Sequence, residues 1–350
     1  MKTIARMTLE PGMVLASDVF SYQNELLLHK NTTLTPMDIT KLAMYSIMCV
    51  DIMEPSDYAT THYEKVRLSS GFQKFEKAYN TALPQYKKIM FDFVVNHKPV
   101  DLDELFTIYM QITSCCKTGE ILLDYLYNML PSEDDMTYAH CLNSALIAGV
   151  FGTWLGISED EMITLICCAY FYDIGKLLLP AKLIWKPDKL TPQEFEMIKT
   201  HTLRGFNLIK DLDLDENIMK ATLEHHERCD GTGYPSHLRD RQINVFAKYI
   251  SIIDAYEAMT SARTYRESLT PMIVVENFEK SASYYTPSIL LPILQHIANS
   301  QLGMKIRLSD DKTGEIIMIN SGHLSRPLVK CGEEVIDLSK HNEIKIVATI

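Results

Sequence analysis

The spacing of hydrophobic and polar positions changes along the chain, and each change predicts a different architecture. Residues 1–54 read as a small α/β module. The run GMVLASDVFSYQNELLLH gives two short strand-like segments about a polar turn at 21–24. TLTPMDITKLAMYSI follows, with Thr35 as N-cap, Pro36 at the first helical position and Asp38 in the first turn, and MCVDIM reads as a closing strand. Residues 55–98 are polar and read as a partly helical connector. From 99 to 300 the pattern is helical almost throughout. Ser158 with Glu161, and Thr191-Pro192 with Glu194, have the spacing of capping boxes, while Thr270-Pro271 and Thr286-Pro287 mark two further helix starts. From 301 on, short alternating runs such as KIRLSDDKTGEIIMIN and EIKIVATI predict a small β module. The expected fold is therefore mainly α, an all-helical body flanked by a small N-terminal α/β module and a small C-terminal β module.

Composition narrows the functional classes. A chain of 350 residues has room for about two to three domains. Its net charge of −11 argues against generic binding to a nucleic-acid polymer or an anionic membrane. The eight cysteines include no CxxC spacing, and no signal-peptide pattern opens the chain, so reduced thiols in a cytoplasmic protein are expected. No apolar run reaches the roughly 20 residues that a spanning helix requires.

Candidate chemistry lies in the helical block, where potential metal ligands fall at His140, Asp173, His201, His225, His226 and Asp254. His140 lies on an apolar stripe with Ala139, Leu142, Leu146 and Val150, where an unbonded imidazole is costly to bury. Taken singly, each of these histidines reads as a satisfied core residue. His225 and His226 are about 100° apart on a helix, so they suit two neighbouring ions better than one. Imidazole and carboxylate without thiolate favour iron or manganese over a structural zinc. A carboxylate such as Asp173 can bridge two ions, and a two-metal centre suits hydrolysis of a phosphodiester.

The motifs YDIGK, KPDKLTPQEFEMIKTH, HHERCDGTGYP and IIDAYEAMTSARTYR together resemble the HD-GYP family, the cyclic di-GMP phosphodiesterase branch of the HD metal-dependent phosphohydrolases. The resemblance covers roughly 99–300 and implies a bacterial, cytoplasmic signalling enzyme that hydrolyses cyclic di-GMP to pGpG or GMP. It implies the six residues above as ligands of two divalent ions, iron or manganese, with Asp173 bridging. Lys176 matches the lysine near a substrate phosphate or the attacking hydroxide. Gly233, Tyr234 and Pro235 form the GYP signature, and Arg263 and Arg266 match basic residues near the substrate.

Two positions depart from the family pattern. Tyr172 stands where the histidine of the HD pair belongs, and Met136 stands where three-metal members carry a glutamate. Glu133 and Asp135 lie at the wrong offsets from His140 to replace that acid, so a third ion is not expected. A phenol, with its pKa of about 10, ligates only a strongly Lewis-acidic ion such as ferric iron. Weakened catalysis and a catalytically silent cyclic di-GMP receptor or scaffold are therefore both left open. So are a homodimer and a protein partner at the flanking modules.

Overall fold

The computed structural model describes residues 1–54, 61–129, 136–184, 186, 188–261 and 269–350. The chain divides into two compact units, Met1–Gln73 and Lys74–Ile350.

In the first unit β1 (Lys2–Ala5) pairs antiparallel with β4 (Cys49–Ile52), and β2 (Val19–Phe20) with β3 (Leu26–Leu28). Helix α1 (Pro36–Met44) opens on a full capping box, in which the Thr35 hydroxyl accepts from the Asp38 amide and the Asp38 carboxylate accepts from the Thr35 amide. Leu15, Leu34, Leu42, Val50 and Ile52 form its core. Helix α2 (His62–Leu68) is capped in the same manner by Thr61.

Helix α3 (Ser70–Asn96) occupies most of the stretch expected to be a connector. From residue 74 on it belongs to the second unit. Its residues Phe75, Tyr79, Ala82, Leu83, Tyr86, Met90 and Phe93 are buried at helical spacing. The Tyr86 hydroxyl donates to the Tyr170 carbonyl at 2.8 Å, and the Phe93 ring meets Phe171 edge-on. The polar composition that suggested a connector is one solvated face of an amphipathic helix.

The remaining helices are α4 (Leu102–Thr113), α5 (Gly119–Tyr127), α6 (Met136–Leu155), α7 (Glu159–Phe171), α8 (Ala181–Ile184), α9 (Pro192–Ile209), α10 (Glu216–Glu224), α11 (Val245–Thr260), α12 (Pro271–Lys280) and α13 (Pro287–Asn299). Ser158 and Thr191 cap α7 and α9 with the reciprocal bonds expected from sequence. Thr270 and Thr286 stand at the starts of α12 and α13, but neither side chain bonds its helix. Thr286 instead donates to Asp240 at 2.6 Å. Helix α6 is buried on nearly every side from His140 to Gly152, which makes it the axis against which α7, α11 and α13 pack.

The chain ends in a five-stranded antiparallel sheet in the order β8 (Glu334–Asp337), β7 (Leu328–Cys331), β6 (Thr313–Met318), β5 (Lys305–Leu308), β9 (Ile346–Thr349). Its apolar face packs with Met272 of α12. The Glu279 carboxylate accepts from the Leu324 amide and the Ser325 hydroxyl. No helix among the described residues is long and apolar enough to cross a membrane.

Candidate metal centre

Local sequence places each candidate ligand at an element end or on a buried face. His140 lies on α6, Tyr172 caps the C-terminus of α7, and Asp173 leads into a single 3-10 turn over Ile174–Leu178 that carries Lys176. His201 lies on α9, His225 and His226 follow the last turn of α10, and Asp254 lies on α11. These elements bring the six residues into two clusters that share Asp173. One contains Asp173, His201, His225 and His226, so the adjacent histidines expected to serve two ions share one cluster; the other contains His140, Asp173 and Asp254, and the candidate ligand atoms within each lie within 4.8 Å of one another.

Close backbone approach makes the first cluster possible. A Cβ at Gly175 would lie 2.0 Å from the His201 carbonyl oxygen and 2.6 Å from the Gly205 nitrogen, so only glycine lets the turn reach α9. Gly175→Ala is expected to cost about 1–3 kcal/mol through backbone displacement, and to loosen any ion bound through His201. Thermal melting and metal titration would check this; a variant that melts and loads like the parent would contradict the packing role.

Hydrogen bonding fixes the tautomers in the first cluster. His201 Nδ1 donates to the Ile198 carbonyl at 2.7 Å, and His225 Nδ1 faces the carbonyls of Thr222 at 3.1 Å and Ala221 at 3.2 Å. Each imidazole then presents a bare Nε2 lone pair inward. The two Nε2 atoms are 3.2 Å apart, and Asp173 Oδ1 lies 3.2 Å from His201 and 3.6 Å from His225. Asp173 Oδ1 is buried and has no hydrogen-bond partner, because the nearest nitrogens have given their protons elsewhere. Three acceptors converging without a hydrogen between them fit a cation, and the outward bonds to carbonyls are the usual setting of metal-ligating histidine.

Charge agrees with this reading. Burial lowers the pKa of His201, and burial with the neighbouring His225 lowers that of His226 well below the usual range, so both stay neutral. Burial opposes the ionised Asp173. Lys176, with His140, outweighs it and holds the carboxyl well below its usual range.

The second cluster is bonded throughout. His140 Nε2 lies 3.0 Å from Asp254 Oδ1, 3.3 Å from Asp173 Oδ2 and 2.6 Å from the Tyr172 hydroxyl. The Tyr172 hydroxyl also meets Ser144 Oγ at 2.9 Å, and Lys176 Nζ donates to Asp173 Oδ2. Burial, then the carboxylates of Asp254 and Asp173, push the Tyr172 phenol well above its usual range, so it is a neutral hydroxyl.

Several contributors were not identified from sequence. Glu257, one turn after Asp254, accepts from His140 Nδ1, from Asn143 Nδ2 at 2.9 Å and from the Ser261 hydroxyl. Ser144 lies one turn after His140 on the same face. Glu227, the acid of HHE, is 2% exposed and accepts the amides of Ser236 at 2.6 Å and Leu238 at 2.9 Å, which anchors the loop containing Tyr234 and Pro235. The i to i+3 offset of Asp254 and Glu257, and the i to i+4 offset of His140 and Ser144, were the available signals.

The loop itself is built tightly. A Cβ at Gly233 would lie 2.4 Å from the Arg228 nitrogen and from Glu227 Cα, so glycine is required for the loop to lie against HHE. The Tyr234 ring stacks on His226 with centroids 4.7 Å apart, and Lys199 Nζ sits 5.5 Å from the Tyr234 ring centre. Pro235 is exposed beside it. Arg263, Arg266, Glu133 and Asp135 lie outside the described residues.

A family model described as HD domain matches residues 124–289. The chain is 26% identical over 202 residues to the cyclic di-GMP phosphodiesterase PA4108 of Pseudomonas aeruginosa, covering 57% of this chain and 49% of that protein. It is 33% identical over 180 residues to a cyclic di-GMP phosphodiesterase of Thermotoga maritima, covering 49% of this chain and 47% of that one. The chain thus spans about half the length of these relatives. Among solved structures, Bd1817, a HDG"Y"P protein from Bdellovibrio bacteriovorus, aligns at 13% identity and a TM-score of 0.43 over 85% of this chain and 99% of that one, too loosely to bear on the site. The matched domain, the relatives and the ordered DIGK, HHE and GYP motifs agree: residues 124–289 match the HD domain family, and the chain resembles the HD-GYP family.

Proposed function

We propose that this protein is a metal-dependent phosphodiesterase that hydrolyses cyclic di-GMP to pGpG or GMP in the cytoplasm. The observation that carries the reading is the convergence of Asp173 Oδ1 with the bare Nε2 atoms of His201 and His225. The names of the relatives supply the substrate class. Imidazole and carboxylate ligands support iron or manganese at the two clusters. Bound divalent ions would supply Lewis acidity and lower the pKa of a water at the site.

The chain's own residues have separable roles in this reading. Asp173 joins the two clusters. Burial disfavours the Lys176 ammonium, but Asp173 and Asp254 outweigh it and keep the group charged beside them, where it can meet a substrate phosphate. Gly233 and Pro235 shape the loop that presents Tyr234 as an aromatic face for a guanine base. Hydrolysis joins a water oxygen to phosphorus and breaks one phosphorus–oxygen ester bond. The proton lost by water ends on the released sugar hydroxyl.

Arg263 and Arg266 are assigned to substrate binding, since guanidinium forks suit phosphate or guanine edges. Changing both to Ala is expected to weaken cyclic di-GMP binding and leave metal content unchanged. Calorimetry finding parental affinity in the double variant would remove them from the site.

The substrate assignment is tested by chromatography of products after incubating the metal-loaded protein with cyclic di-GMP and with 3'3'-cGAMP, the substrate named for the Vibrio cholerae relative at 25% identity. Faster turnover of cyclic di-GMP is expected. Cleavage of 3'3'-cGAMP alone would reassign the substrate.

A further inference from the structure

The two oxygens of Asp173 have different environments. Oδ1 faces the bare nitrogens of His201 and His225 and accepts no hydrogen bond. Oδ2 accepts from the Lys176 ammonium and lies 3.3 Å from His140. His140 is likewise engaged at both ring nitrogens, by Glu257 at Nδ1 and by Tyr172 and Asp254 at Nε2. Whichever of His140 and Tyr172 donates, the 2.6 Å bond between them occupies the direction along which His140 would meet an ion. Ser144, fully buried, holds the Tyr172 hydroxyl there from the other side.

From this contrast we propose that Tyr172 makes the centre unequal. One ion is resident at Asp173, His201, His225 and His226. The position at His140, Asp173 and Asp254 is closed by the Tyr172 hydroxyl, and a second ion enters only when the Tyr172–His140 bond breaks. In the closed state the Lys176 ammonium supplies the positive charge that Asp173 Oδ2 would otherwise receive from the second ion. The inference rests on the metal-dependent reading of the site but not on which substrate is cleaved.

The test uses the full chain, stripped of metal, titrated with Mn²⁺ and then desalted, with retained manganese measured by elemental analysis and its magnetic coupling by electron paramagnetic resonance. The parent should retain one uncoupled ion, with the second bound at least about 10-fold more weakly. Tyr172→His should retain two coupled ions. His140→Ala should still retain one, whereas His201→Ala should retain none; this pair decides the matter even if Tyr172→His fails to fold. A parent that retains two coupled ions, or a folded His140→Ala variant that loses the resident ion, would overturn the inference. Turnover is scored separately. One retained ion, with cyclic di-GMP left intact even under excess Mn²⁺, would leave this inference standing and defeat the phosphodiesterase reading, and two equal ions with turnover would do the reverse.

Discussion

Asp173→Asn is expected to strip the centre of bound metal and to bring cyclic di-GMP hydrolysis to background. Asparagine keeps the shape of a side chain that is fully buried, so packing around it should survive. The charge does not survive, and among the described residues Asp173 is the candidate ligand common to both clusters. An amide offers the bare nitrogens of His201 and His225 either a neutral oxygen or a competing N–H donor. Loss of outer partners of a metal ligand already costs about 10–100-fold in affinity, and loss of a shared ligand should exceed that. The substitution also removes the carboxylate that accepts from Lys176, whose side chain is 20% exposed, so some loss of stability should accompany the loss of metal. Elemental analysis per folded molecule, with folding followed by circular dichroism, separates the two effects. A folded variant that holds the parent's metal would remove Asp173 from the centre.

The second large effect concerns the metal-free protein. Glu257→Gln should destabilise it by about 1.5–3 kcal/mol near pH 6, because the variant removes the carboxylate that accepts from Nδ1 of a buried charged imidazole. Burial disfavours charge on His140, but Glu257, Asp173 and Asp254 outweigh it and raise its pKa well above the ordinary 6.5. Burial likewise opposes the Glu257 carboxylate, and His140, Ser261 and Asn143 hold its pKa below the ordinary 4.5. The signs set the window. A raised histidine pKa contributes stability in full below about 6.5, and that contribution is lost as pH rises through the folded-state value. A lowered carboxyl pKa contributes above about 4.5, and that contribution is lost as pH falls through the folded-state value. The gap between parent and Glu257→Gln in chemical denaturation should therefore be widest between these limits and narrow at alkaline pH. A gap independent of pH would mean that Glu257 acts by packing alone.

The candidate ligands were legible because they are rare residue types in ordered motifs. His140, Asp173, His201, His225, His226 and Asp254 could be named without coordinates, and the structure brings all six together. Helix starts at Thr35, Ser158 and Thr191 were legible because a capping box is a local hydrogen-bond pattern. What escaped depended on contacts between distant segments. Glu257 and Ser144 resemble ordinary helix residues until α6, α7 and α11 pack, and the burial that makes them matter is not written in either segment alone. Residues 74–96 looked like a connector because composition averages over the two faces of a helix. Sequence reading shows Tyr172 only as a departure from the family's ligand set. The structure instead gives its hydroxyl two bonded partners, Ser144 and His140, an arrangement that only the packed fold specifies.

Anaerobic purification followed by metal analysis and a cyclic di-GMP turnover assay on the same sample tests the metal-dependent phosphodiesterase reading most directly. Turnover that rises with bound iron or manganese, disappears on chelation and returns on reloading with Fe²⁺ or Mn²⁺ is the expected result. Intact cyclic di-GMP after incubation with fully metal-loaded, folded protein would contradict it and leave a receptor that binds the dinucleotide without cleaving it.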